Sequence, residues 1–243
     1  MKRVPKTIWH FFSEDLGEDY AITPTERALL FDSYCNSELP FQVEQLSDKR
    51  MKVLIACEYS GRVRDAFIAA GHDAMSCDLL PSESPGPHYQ GDVRDILDEQ
   101  WELMIAHPPC THLAVSGARW FKDKQKEQAE ALDFVKLLMN APIEKIALEN
   151  PVSIISSRIR KPDQIIQPWQ FGHPEAKATC LWLKNLPLLK PTNVLPLPSS
   201  GRWANQTPSG QNKLGPSEDR WKLRSATYQG IAQAMADQWG MID

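Results

Sequence analysis

The feature that most constrains the fold is a series of short apolar runs separated by segments of helical length. The runs are MKVLIAC at 51–57, DAMSC at 73–77, WELMIA at 101–106, EKIALEN at 144–150 and TCLWL at 179–183. Short continuous apolar runs of this kind are typical of strands buried on both faces. Between them, Gly61–Ala70 and Lys122–Met139 carry apolar residues at helical spacing. The alternation predicts an α/β fold with a doubly wound, mostly parallel sheet.

The strand and helix rhythm divides the chain into two predicted parts. Residues 1–50 precede it and form an N-terminal extension of unassigned role, with a helix predicted from Thr23 to about Tyr34. Residues 51–243 form the main domain. Within that domain, the segment at about 186–217 contains six prolines and is expected to be an irregular, basic, functional loop. The pattern over Ser225–Trp239 then predicts a C-terminal helix that returns to the core.

The charge is distributed unevenly along the chain. In total, 27 Lys and Arg face 31 Asp and Glu, for a net charge of −4. Residues 151–224 nevertheless hold eleven Lys or Arg and only four Asp or Glu. This asymmetry predicts one face suited to a polyanion such as a nucleic acid; a solvated basic surface without a partner is the alternative.

Cysteine usage and hydropathy limit the compartment. The five cysteines are an odd number and form no CxxC pair, which argues against a disulfide framework and against a zinc or other metal site. No apolar run approaches the roughly 18 residues that a membrane helix needs. The N-terminus also lacks the apolar region of a signal peptide. We therefore expect a cytoplasmic protein without a membrane partner.

Chemically capable residues follow the predicted strands, where ligands of open parallel sheets bind. In chain order they are Cys57-Glu58-Tyr59-Ser60-Gly61, Asp78, Gly91-Asp92, Pro108-Pro109-Cys110 and Glu149-Asn150. Asp78 stands about 20 residues after the first strand end, the spacing of an acid that binds a ribose. Each residue also has a plainer interpretation, since Asp78 and Asp92 could cap turns, Cys110 could be a buried apolar residue and Glu149 could belong to an ion pair.

The order of these groups resembles the motif series of the cytosine-C5 DNA methyltransferases, most closely the compact phage and prophage members without a large target-recognition domain. Pro109-Cys110 matches the Pro-Cys motif of the family, and Glu149-Asn150 matches its Glu-Asn motif, with Pro151 in place of the usual valine. Two departures accompany the likeness. Val63 and Arg64 stand where the family has further glycines, and the later Gln-Arg-rich motif is reduced to a segment with His173 and Lys177.

The resemblance implies an enzyme that transfers a methyl group from S-adenosylmethionine to C5 of cytosine in DNA. Cys110 would add to C6 of the base as a thiolate, and Glu149 would hold N3 and the exocyclic amine. The two prolines fix φ and would hold the cysteine loop rigid. Because these atoms are shielded in a duplex, the target base would have to be flipped out or presented single-stranded.

The remaining site residues are assigned on the same resemblance and on charge. The predicted cofactor ligands are Glu58, Tyr59, Ser60, Gly61, Asp78, Asp92 and Pro108. The predicted contacts to the nucleic acid are Pro109, Asn150, His173, Lys177, Arg202, Lys213, Lys222 and Arg224. The tryptophans of the basic span, Trp169, Trp203 and Trp221, could stack on bases or pack the loop onto the domain.

Two alternatives stay open from the sequence. The same chemistry could act on RNA or on a free cytidine nucleotide, because nothing obvious reads a DNA sequence. The chain could also be a catalytically idle nucleic-acid-binding protein that retains the fold.

Overall fold

The computed structural model describes residues 50–210, 212–215, 217 and 220–242, without the side chains of residues 118–120, 221 and 223. The extension predicted for residues 1–50, with its helix from Thr23, therefore lies outside the described residues except for Arg50. The strands of the described part are β1 (Lys52–Ala56), β2 (Asp73–Asp78), β3 (His88–Gln90), β4 (Leu103–Ala106), β5 (Lys145–Pro151), β6 (Gln164–Ile166) and β7 (Thr179–Lys184). They form one sheet in the order β3-β2-β1-β4-β5-β7-β6.

Helices cover both faces of this sheet. They are α1 (Arg62–Ala69), α2 (Gln125–Met139), α3 (Ile155–Arg158), α4 (Arg220–Ser225) and α5 (Gln229–Trp239). Alternate residues of β1 enter two separate cores: Val53 joins the core under α1 and α5, and Leu54 joins the core under α2. Two buried faces explain the continuous apolar runs of the strands. The arrangement confirms the predicted fold class, an α/β fold with a doubly wound, mostly parallel sheet.

The structure departs from the predicted elements at both edges of the sheet. β1 to β5 pair in parallel, whereas β7 is antiparallel to both β5 and β6. β3 and β6 have three residues each. Strands this short carry too little periodicity to be found by pattern.

Two helices begin later than their patterns predict. The predicted helix at Lys122 begins as α2 at Gln125, after a 3₁₀ segment over Val115–Asp123. The predicted helix at Ser225 begins as α5 at Gln229, because Tyr228 before it is extended, with φ −67° and ψ 138°. No helix of the described residues is long and apolar enough to cross a membrane.

A buried arginine fastens α1 to the loop between β2 and β3. The guanidinium of Arg64 is fully buried and donates to the hydroxyls of Ser76 and Ser82 and to the carbonyls of Ser84 and Pro85. It also forms a 2.8 Å ion pair with Asp65. Arg64 thus has a structural use at a position where the resembled family has glycine.

The glycines around Arg64 are required by this arrangement. Gly61 and Gly86 both have positive φ, at 74° and 149°. A Cβ at Gly61 would lie 2.5 Å from the Arg64 guanidinium, and one at Gly86 would lie 2.9 Å from it. Both turns therefore exclude side chains for conformational and for packing reasons.

Replacing Arg64 with Met should destabilise the fold. The substitution leaves the two carbonyls and two hydroxyls of the loop without their charged donor, which should lower the free energy of unfolding by about 3 kcal/mol. Urea unfolding measures the difference. Arg62→Met is the matched control, because the exposed guanidinium of Arg62 donates a single hydrogen bond among the described residues, to the Thr227 carbonyl, and its loss should cost less than about 1 kcal/mol. Equal losses in the two variants would contradict the assignment.

Candidate active site

The register of β4 and β5 brings two predicted strand ends side by side. Ala106 pairs with Leu148, so the next residues along the two parallel strands are His107 and Glu149. Their side chains meet, with Nδ1 of His107 3.0 Å from Oε2 of Glu149. One residue further, the buried Asn150 side chain donates to the Pro108 carbonyl at 2.9 Å. The strand pairing therefore continues through side chains into the Pro-Pro-Cys turn.

Cys110 is held from both sides of its turn. Upstream is the bond from Asn150 to Pro108. Downstream, the backbone amides of Leu113 and Ala114 donate to the Cys110 carbonyl at 3.0 and 2.9 Å. Ala114 in turn bridges to Ser153, just past β5. Proline has no amide hydrogen, so the ladder ends here and leaves Cys110 on an exposed, well-fixed turn.

Glu149 is kept ionised by its neighbours. Its side chain is only 14% exposed, and burial, the largest single influence, raises the pKa of this carboxyl. The hydrogen bond and charge of His107 and the charge of Lys177 together outweigh burial and lower the pKa below its usual range. Glu149 is therefore a nearly buried carboxylate that can accept a hydrogen bond from a ligand.

The thiol of Cys110 lies within reach of charges of both signs. Although the residue is exposed, the protein beneath it partly desolvates the thiol and raises its pKa, and the negative charge of Glu149 raises it further. The positive charges of Arg224 and Lys177 act in the opposite direction. Because the thiolate is the reactive form, the nucleophilicity of Cys110 depends on this balance of charges.

A pocket lies beside His107, at the carboxyl end of β1. It is lined by the turn 57–60, by His107 and by the segment 225–227. Cys57 begins the turn in the left-handed region, with φ 59°, an uncommon conformation for a residue other than glycine. Burial is the main cause of the raised pKa of the Cys57 thiol, and the negative charges of Asp78 and Asp92 raise this pKa further. Both carboxylates therefore lie close to the same turn.

The predicted cofactor ligands of the first turn serve mainly to build it. Glu58 is buried and accepts hydrogen bonds from the amides of Val63 and Arg64 and from the Ser60 hydroxyl. The Tyr59 hydroxyl lies 2.8 Å from the Ser225 hydroxyl, across the pocket. The turn therefore presents its backbone and the Tyr59 side chain to a ligand, while the side chains of Glu58 and Ser60 cap α1. Their role as cofactor ligands stays a prediction.

Asp78 and Asp92 both stabilise local turns. Oδ1 of Asp78 accepts from the Leu80 amide at 2.9 Å, and in the part of the chain that the structure describes Oδ2 has no hydrogen-bond partner. Asp92 caps a 3₁₀ turn, and hydrogen bonds from the Arg94 side chain and amide lower its pKa to about 2. The capping interpretation of these acids thus holds, and Asp78 keeps one oxygen for a ligand. Pro108, the last predicted cofactor ligand, is buried.

The predicted nucleic-acid contacts fall into two groups, the first of which surrounds Cys110. Pro109 is exposed beside it, and Lys177 and Arg224 act on its charge. Lys177 also donates to the Arg224 carbonyl at 2.7 Å. Asn150 faces inward, because its amide is bound to Pro108 and the residue is 1% exposed.

The second group has other partners or is exposed to solvent. His173 accepts from the Gly230 amide at the start of α5 and packs on Tyr228. Arg202 and Lys213 are exposed. Lys222 is 3.7 Å from Glu83.

Two of the three tryptophans of the basic span pack the loop onto the domain. Trp203 is buried and stacks on Trp169, which packs the loop onto the domain. The side chain of Trp221 lies outside the described residues.

His107 is the site residue that sequence analysis missed. Its ring joins Glu149 to the pocket at the end of β1. The signal was present, because the apolar runs LMIA and KIAL end one residue before His107 and before Glu149. Aligning the ends of the two runs gives the observed register, but nothing in the sequence shows that these two strands are neighbours.

Comparisons with known proteins add little to this geometry. No family model and no curated protein matches the chain. Among solved structures, the chain resembles the crystal structure of a Spodoptera frugiperda DNMT2 mutant with a TM-score of 0.39 and 14% identity, over 64% of this chain and 58% of that one. The match thus spans less than two thirds of that protein's length. Among the described residues, no cluster of His, Cys, Asp and Glu could hold a metal ion.

The charges around Cys110 can be tested by its reactivity. Glu149→Gln removes a charge that raises the thiol pKa, so alkylation by iodoacetamide should reach half its maximal rate about one pH unit lower. Lys177→Gln removes a charge that lowers the pKa and should move the profile upward. Mass spectrometry of the Cys110 peptide follows the reaction. The control is Glu144→Gln, at the exposed opposite end of the same strand. A profile that Glu149→Gln leaves unchanged would contradict this arrangement.

Proposed function

We propose that the protein is an S-adenosylmethionine-dependent methyltransferase that acts on C5 of cytosine in DNA. The observation that carries the proposal is that an exposed thiol, Cys110, and a nearly buried carboxylate, Glu149, both follow the paired strand residues Ala106 and Leu148 and interact electrostatically. The catalytic domain is residues 51–243. The β4–β5 pairing, the bond from Asn150 to Pro108 and the charges of Lys177 and Arg224 all maintain this placement.

The two groups suit the chemistry of a cytosine ring. C5 of cytosine is a weak nucleophile, and addition of the Cys110 thiolate to C6 forms an S–C6 bond that raises the electron density at C5. The Glu149 carboxylate accepts hydrogen bonds from the exocyclic amine and from a protonated N3, which stabilises the charge that develops there. After methyl transfer, loss of the C5 proton allows the S–C6 bond to break and releases the thiolate. Glu149 also excludes bases without a donor at this edge.

The pocket beside His107 and the carboxylates close to its turn 57–60 suit the chemistry of the cofactor. Bound there, S-adenosylmethionine supplies a methyl group on a positively charged sulfonium. Tyr59 lines the pocket wall, and Asp78 and Asp92 lie near its turn. Oδ2 of Asp78, which has no hydrogen-bond partner among the described residues, suits the ribose hydroxyls, and the Asp92 carboxylate, which also binds Arg94, suits an adenine amine. Negative charges around the pocket also favour a cationic ligand over an anionic one.

Methyl transfer from tritiated cofactor tests the function. With parent protein, label should enter cytosine-containing duplex DNA, and Cys110→Ser should abolish incorporation because an alkoxide forms far less readily than a thiolate at neutral pH. Cys180→Ala is the control; Cys180 is buried and should retain activity apart from a packing loss. RNA and cytidine nucleotides are offered in parallel. If label enters only RNA or only a nucleotide, that acceptor and not DNA is the substrate. If label enters no acceptor, the proposal is refuted.

The proposed DNA contacts predict a steep dependence on salt. If Lys177, Arg202, Lys213, Lys222 and Arg224 each neutralise one phosphate, affinity for a short duplex should fall about 500-fold between about 50 and 200 mM salt. Arg224→Gln should lower the slope of log affinity against log salt by about 0.9. Fluorescence anisotropy measures both. The control, Lys136→Gln on exposed α2, should leave the slope unchanged. An affinity that does not vary with salt would contradict the interface.

A further inference from the structure

His107 has one engaged and one unengaged ring nitrogen. Nδ1 lies 3.0 Å from Oε2 of Glu149, and the side chain is 9% exposed. Nε2 is fully buried and has no hydrogen-bond partner among the described residues. An unpaired buried polar atom is unfavourable, so a structure that retains one gains from a ligand that satisfies it.

The protonation of the ring follows from its partner. A carboxylate oxygen accepts hydrogen bonds, so the 3.0 Å contact with Oε2 of Glu149 places a hydrogen on Nδ1. In a neutral ring, Nε2 then has a lone pair and accepts. The ring also lines the pocket formed by the turn 57–60 and the segment 225–227.

We propose that Nε2 of His107 accepts a hydrogen bond from the α-ammonium group of the cofactor, so that one ring holds the cofactor on one side and positions Glu149 on the other. This inference rests on the proposed function. The cofactor has three kinds of donor: ribose hydroxyls, an adenine amine and the α-ammonium. Asp78 and Asp92 suit the first two, which leaves the ammonium for His107. The nearby carboxylates of Glu58 and Glu149 favour a cation at this point and disfavour the α-carboxylate.

The arrangement couples the two substrates. A cofactor that fixes the ring also fixes the direction of the Nδ1 hydrogen bond, and therefore the orientation of the carboxylate that meets the cytosine. His107 is thus a cofactor ligand and a positioning residue for Glu149. It contacts no reacting atom.

Two substitutions separate the two sides of the ring. Asn places an amide near the position of Nδ1, so His107→Asn keeps a donor for Glu149 but loses the acceptor at Nε2. Gln reaches the position of Nε2, so His107→Gln keeps an acceptor for the ammonium but loses the donor to Glu149. His112→Asn is the control for a histidine of the same loop outside the pocket. Equal unfolding free energies in urea establish that the variants fold.

Calorimetry with S-adenosylhomocysteine and with 5′-methylthioadenosine, which lacks the amino-acid portion, gives the first readout. His107→Asn should bind S-adenosylhomocysteine about tenfold more weakly than the parent and 5′-methylthioadenosine equally well. His107→Gln should bind both within about threefold of the parent. Equal losses for the two ligands in His107→Asn, or no loss for either, would overturn the ammonium contact. Failure of the parent to bind S-adenosylhomocysteine would refute the proposed function as well.

The pH profile of Cys110 alkylation gives the second readout, without cofactor. His107→Asn should keep the parent profile because Glu149 keeps its donor. His107→Gln raises the pKa of Glu149 and lets this carboxylate reorient, so its profile should move away from that of the parent. Identical profiles in both variants would overturn the positioning role.

Discussion

The site depends on the parallel pairing of β4 with β5. That pairing fixes His107 beside Glu149 and Pro108 beside Asn150, and it does so at the carboxyl edge of the sheet. A slip by one residue would turn each of these side chains to the opposite face. Beyond Ala106 the backbone ladder cannot continue, because Pro108 and Pro109 have no amide hydrogens. Asn150 replaces the missing ladder bond with its side chain, and the cysteine that follows is held where the strand would otherwise have frayed.

The charges at this edge are arranged so that each group alters its neighbour. Glu149 is ionised because His107 and Lys177 face it, although burial alone would favour its neutral form. The resulting carboxylate raises the pKa of Cys110, and Arg224 and Lys177 partly reverse that effect. Cys110 is therefore reactive mainly when positive charge is added near it, because positive charge lowers the pKa of its thiol. A cationic cofactor and a hydrogen bond from the base to Glu149 would both act in that direction.

The sequence predicts the parts of the fold whose signal is local. The apolar runs of β1, β4 and β5 locate these strands, and the residues after them include Cys110, Glu149 and Asp78. The apolar pattern of the sequence does not show which strands are neighbours or in which direction they pair. This explains why the antiparallel direction of β7, the three-residue strands β3 and β6, and the His107–Glu149 contact are found only in the structure. Arg64 shows the same limit, because its partners, Ser76 in β2 and the loop residues 82–85, are brought to it only by the folded structure.

The most direct test of the central claim is to trap the covalent adduct between Cys110 and its target base. Duplex DNA with 5-fluorocytosine, incubated with the protein and S-adenosylmethionine, cannot lose a proton from C5, so the S–C6 bond should persist. Mass spectrometry of the digested complex should then find the modified nucleotide on the peptide that contains Cys110 and on no other cysteine. Methyl transfer to ordinary DNA without any such linkage, or a linkage at Cys57, Cys77 or Cys180, would contradict the account.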